Sequence, residues 1–136
     1  KGFEDYATDQ DAIRGLHAAG FKNIDFSFSE LNYGSPLMQD NWRDEAQDIK
    51  DLCEELQVNL IQAHAPFFLN ALNCDSDALY AYTIRSLEVC DFLGIKNVVI
   101  HAGYGEGLTK EQWFELNKAF FNQYLPKAEE LADRPW

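Results

Sequence analysis

The chain has 136 residues, 46% of them apolar and 14% aromatic, and a formal net charge of −12. That apolar content supports one folded domain with a real core and excludes a disordered chain. The negative field repels phosphate backbones, which argues against nucleic acid as a partner, but it leaves room for a small anionic substrate that responds to local charge.

In chain order, a first helix is predicted over "TDQDAIRGLHAAG". Thr8 or Asp9 is its cap, Ala12, Ile13, Leu16 and Ala19 form its stripe, and Gly20 is its stop. A short strand follows at 23–28. The second helix, in "NWRDEAQDIKDLCEELQ", places Ala46, Ile49, Leu52, Cys53 and Leu56 on one face. A second strand is predicted at 58–64. The third helix, in "SDALYAYTIRSLEVCDFLG", starts near Asp75 or Ser76, stops at Gly94, and turns Leu79, Thr83, Ile84, Leu87 and Cys90 inward. A third strand spans 97–101. The fourth helix, in "TKEQWFELNKAFFNQYL", opens on a capping box of Thr109 with Gln112 and carries a stripe of Trp113, Leu116, Phe120 and Tyr124. Pro126 then allows a further helical turn through Ala132.

No apolar run is long enough to span a bilayer and no signal-peptide core is present, so no membrane partner is expected. The three cysteines, Cys53, Cys74 and Cys90, are odd in number and form no CxxC pair. They read as reduced thiols, which points to a cytoplasmic protein. Cys53 and Cys90 sit in apolar helical patterns and read as small core residues.

The strand starts repeat. "GFKNIDFSF" and "GIKNVVIHA" share Gly-x-Lys-Asn before a β-branched residue, and "LQVNLIQAH" is a looser third copy. Asn23, Asn59 and Asn97 fall 36 and 38 residues apart. Strands alternating with helices at that period predict parallel βα units in an α/β fold. Eight such units would fill about 300 residues. Residues 1–136 therefore read as a single partial domain, about half of a (β/α)8 TIM barrel cut at both ends. Connections from helix to strand are short, whereas those from strand to helix, 29–40, 65–75 and 102–108, are long. The working face is thus expected at the carboxyl ends of the strands.

Two of the strands end in histidine. Strict alternation puts Ile24, Phe26 and Phe28 on one face of the first strand and Asp25 and Ser27 on the other. In the second strand it separates Ile61, Ala63 and Ala65 from Leu60, Gln62 and His64, and in the third Val98, Ile100 and Ala102 from Val99 and His101. One face is apolar and suits the helices. The other gathers Asp25, Ser27, Gln62, His64 and His101 near the carboxyl ends. Two readings stay open: hydrogen-bonded rim residues, or a site for a polar substrate or a metal. A buried imidazole without a partner costs on the order of 1–3 kcal/mol, which disfavours two chance placements at matching ends. Neutral imidazole suits Zn²⁺ or Mn²⁺, yet a catalytic zinc needs three protein ligands and a water, and no third ligand is evident. Tyr33, Trp42, Phe67 and Phe68, in or beside the long loops, either cover the apolar face of a sugar or pack the loops onto the rim. His17 reads as a surface residue and Glu106 as solvated. "GYGEG" lacks the spacing of a phosphate-cradling loop.

"AIRGLHAAGFKNIDFSF", "QAHAPFFLN" and "LGIKNVVIHAG" resemble the second, third and fourth strand regions of the xylose isomerase-like barrel superfamily. That superfamily includes sugar phosphate isomerases and epimerases and the endonuclease IV-like enzymes. The resemblance implies a divalent metal, Mn, Mg, Co or Zn, at the carboxyl face, held mostly by residues outside this chain. It implies proton transfer next to a carbonyl of a small sugar or sugar phosphate. His64 and His101 match the histidines ending the third and fourth strands. They would be catalytic groups touching substrate in the isomerase branch, or metal ligands in the endonuclease-like branch. Asp25, Gln62, Tyr33 and Phe67 would contact substrate. The alternatives are an endonuclease IV-like zinc hydrolase acting on abasic DNA, and an inactive half-barrel that pairs into a homo-oligomer through open strand edges.

Overall fold

The computed structural model describes residues 6–28, 34–67 and 77–132. The local signals act where they are expected. The Thr8 hydroxyl accepts from the backbone N–H of Asp11 and opens helix α1, Asp9–Ala18. Thr109 and Gln112 form the reciprocal capping box that opens α4, Lys110–Asn122. Between them run α2, Trp42–Leu56, and α3, Asp77–Leu93, and α5, Leu125–Ala132, follows α4. Gly20 and Gly94 turn the chain out of α1 and α3 with φ of 95° and 75°. Gln57 takes the same left-handed conformation, φ 55°, after α2, so the looser copy of the repeat makes the same turn without glycine.

These turns feed strands β1, Asn23–Ser27, β2, Asn59–His64, and β3, Val98–Val99. The three form one parallel sheet in the order β1-β2-β3. The first two of the repeated asparagines lie in register: Asn23 pairs with Asn59, and the Asn59 amide donates to Asn23 Oδ1 at 3.2 Å, whereas β3 is shifted so that Val98 pairs with Ala63. The molecule is thus mixed α/β, with a small parallel sheet and helices connecting its strands. Among the described residues, no helix is long and apolar enough to cross a membrane.

The main core lies between the sheet and the first three helices. Ile24, Phe26 and Phe28 of the first repeat and Ala63 of β2 meet Ile13 of α1, Ala46 and Ile49 of α2, and Val89 and Cys90 of α3. Trp42, beside the first long loop, is the first residue of α2 and is buried in this core. Its ring meets Phe92 edge-on at 5.8 Å and the Arg85 guanidinium at 5.2 Å. Arg85 also donates to the carbonyls of Leu37 and Gln39, which ties the 3-10 turn Pro36–Met38 to α3. A smaller cluster of Leu79, Phe120 and Tyr124, with Ile100 against it, joins α4 to the sheet side of α3.

Three expectations are corrected. The third strand, expected over 97–101, is Val98–Val99 alone, so His101 lies beyond it. Strict alternation in the second strand fails, because Ile24 pairs with Leu60 while Asp25 pairs with Gln62. One extra residue, Ile61, is inserted into β2 between them. Leu60 therefore packs on the helix-covered core, and Ile61, expected inside, is 53% exposed on the open face. The predicted stripe of α4 is also only half right. Phe120 and Tyr124 are buried, but Trp113 and Leu116 are 39% and 40% exposed, and the other buried residue of α4 is Asn117.

Candidate functional site

The bulge decides what the open face of the sheet presents. Downstream of Ile61 the parity of β2 is reset, so Gln62 comes to lie beside Asp25 and His64 beside Ser27. Asp25 then bridges the two. Gln62 Nε2 donates to Asp25 Oδ2 at 2.7 Å, and His64 Nδ1 lies 2.9 Å from Asp25 Oδ1. The pair is half-open, with side-chain exposures of 33% for His64 and 41% for Asp25.

His101 follows β3 and joins from the next repeat. Its ring stacks on that of His64 with centroids 5.4 Å apart and planes 26° apart. Phe67, just beyond β2 in the second long loop, sets its ring edge-on to His101 at 5.3 Å and is itself 43% exposed. Asp25, Gln62, His64, His101 and Phe67 thus meet on one side of the sheet, at the carboxyl ends of the strands. Tyr33, the remaining candidate substrate contact, lies outside the described residues, as do Phe68, Cys74 and the predicted start of α3 at Asp75 or Ser76. Glu106 is exposed, as expected of a solvated residue.

The loop that carries His101 has an anchor that the sequence pattern did not reveal. Asn117, buried on α4, accepts from the Gly103 N–H at 2.7 Å and donates back to the Gly103 carbonyl at 3.0 Å. The Trp113 indole donates to that carbonyl as well, at 3.1 Å. The backbone two residues past His101 is therefore held by three side-chain hydrogen bonds from α4. The signal available beforehand was an amide set four residues after Trp113 on an otherwise apolar helix face.

A cavity of about 540 Å³ runs along the other edge of β1, lined by Thr8, Asp9 and Ile13 of the α1 region, Asp25 and Ser27, and Glu45 of α2. Burial, with the nearby Glu45 carboxylate adding to it, raises the pKa of Asp9. Glu45 accepts from Gln10 at 2.8 Å.

The polar face has the composition of a site for hydroxyl-bearing molecules: an imidazole held by a carboxylate, a second imidazole stacked on it, and an exposed aromatic ring beside them. Its fit to a metal is poorer. Among the described residues, no group of three or more His, Cys, Asp or Glu side chains is placed to hold a metal ion. Comparison of the chain with protein families, curated proteins and solved structures finds no match.

Proposed function

We propose that the chain forms about half of a (β/α)8 barrel of a metal-dependent sugar or sugar phosphate isomerase or epimerase, and that His64 and His101 contact substrate oxygens during proton transfer next to a carbonyl. The observation that carries this reading is the stack of a carboxylate-held His64 on His101, at the carboxyl ends of adjacent parallel strands. A polyhydroxyl substrate needs donors and acceptors that sit in water-accessible but fixed positions, and the imidazoles supply both. Phe67 offers an apolar surface for the C–H face of a sugar. The lack, among the described residues, of a group of three or more side chains placed to hold a metal supports substrate contact over joint metal ligation. The charge of −12 favours the sugar branch over cleavage of abasic DNA.

The divalent ion of this reading is held by residues outside the described site, and when bound it supplies Lewis-acid stabilisation of negative charge on substrate oxygens. The chain's own residues orient the substrate hydroxyls and move a proton at an imidazole nitrogen. The test is metal analysis and isomerase assay of His64→Ala and His101→Ala in the complete barrel. The expected result is unchanged metal content with turnover reduced by about 10²–10⁴-fold, the usual contribution of a proton-transfer group. Loss of metal from either variant would support the zinc hydrolase instead. Normal metal and normal turnover in both would make the histidines structural.

A further inference from the structure

The two imidazoles are not equivalent. His64 has a carboxylate on Nδ1, whereas His101, among the described residues, has ring contacts alone. A carboxylate accepts hydrogen bonds and does not donate them, so the nitrogen facing Asp25 Oδ1 carries the hydrogen and Nε2 is left bare. Free neutral histidine prefers the opposite tautomer. The second oxygen of Asp25 is engaged as well, by the Gln62 amide. A carboxylate gripped at Oδ2 does not swing about its Cβ–Cγ bond, and its Oδ1 stays turned toward His64. With Leu60 paired to Ile24, the extra residue Ile61 is what brings Gln62 opposite Asp25.

We infer that Gln62 and Asp25 are positioning residues that lock His64 in its Nδ1–H tautomer and make Nε2 the atom that takes a proton from substrate. In that step the substrate O–H or C–H bond breaks and the Nε2–H bond forms. The electron pair stays on the substrate, and the positive charge of the imidazolium falls beside Asp25. The substrate part rests on the function proposed above, whereas the tautomer does not. Asp25 and Gln62, expected to contact substrate, instead spend their facing atoms on each other and on His64. His101 stacks near His64 and, among the described residues, has no carboxylate partner that selects its tautomer.

The experiment is ¹⁵N NMR of ring nitrogens in the labelled chain near pH 8, where bare and protonated nitrogens are well separated in shift, on wild type, Asp25→Asn and Gln62→Met. In wild type, His64 is expected mainly as Nδ1–H, shifted on the order of tenfold or more from the free-histidine ratio, the size of a charge-assisted hydrogen bond. Asp25→Asn, whose amide can donate to Nδ1, is expected to reverse His64 to Nε2–H. Gln62→Met, similar in length but without a donor, should move His64 partway toward Nε2–H and leave His101 unchanged. A wild-type His64 in the Nε2–H form overturns the inference without any variant having to fold. Unchanged populations in a folded Gln62→Met remove Gln62 from it. If the tautomers behave as expected and the complete barrel turns over no sugar, the positioning stands and the proposed function falls.

Discussion

The insertion of Ile61 can be tested by truncating the two residues around it. Alternation from sequence would bury Ile61 and expose Leu60; the observed register does the reverse, packing Leu60 on the core and leaving Ile61 53% exposed. Fully buried Leu→Ala changes cost 2–5 kcal/mol through lost transfer energy and the cavity left behind. Leu60 is half-buried, so Leu60→Ala should cost about 2 kcal/mol, at the low end of that range. Ile61 keeps about half its surface in water, and Ile61→Ala should cost about 0.5–1 kcal/mol. The assay is urea unfolding of wild type and both variants, with the slope checked for constancy so that the midpoint shift reports stability alone. In a thermal scan the gap of about 1 kcal/mol corresponds to roughly 3–5 °C. A larger loss for Ile61→Ala than for Leu60→Ala would refute the reasoning. The strand would then alternate without interruption, with Ile61 rather than Leu60 on the core face.

Two further outcomes follow from buried ionisable groups. Burial raises the Cys53 thiol and pushes Cys90 up to about 12, so at pH 8 the reactive thiolate of Cys90 is on the order of 10⁻⁴ of the total; a thiol-disulfide reagent followed by mass mapping should label neither residue until denaturant is added, and rapid native labelling of Cys90 would contradict its packing. Asp9 has a folded pKa raised by burial and by Glu45, so its favourable contribution is full below the unfolded value of about 3.9 and is lost as pH rises through the folded value. Asp9→Asn should therefore be more stable than wild type at pH 7 and equal to it near pH 3, and an advantage that persists at low pH would rule out this origin.

Much of the candidate site is legible without the structure. His64 and His101 do come together as the repeat of the strand regions suggests, although β3 ends at Val99 and His101 lies beyond it. What misleads is the first half of β2. The sequence "NLIQAH" carries two adjacent large apolar residues, Leu60 and Ile61, and nothing local says which of them enters the core. The extra residue is resolved by pairing with β1, where Ile24 must face the helices and Asp25 must not. The partnership of Gln62 with Asp25 depends on that pairing. Trp113 is likewise placed by a tertiary contact, its indole donating to the Gly103 carbonyl while the residue stays 39% exposed.

The sequence by itself determined where helices start and stop, that the strands are parallel, and which end of them carries polar groups. Caps such as Thr8 and Thr109 and the turns at Gly20 and Gly94 work through bonds within one helical turn, and the spacing of Asn23, Asn59 and Asn97 repeats that local instruction. Only the tertiary structure decided the register at Ile61, the grip of Asn117 on Gly103, and the crowding of Asp9 by Glu45. Each of these joins residues from different elements. Its energy exists only once the chain has brought those elements together, and no window of sequence contains both partners and the geometry between them.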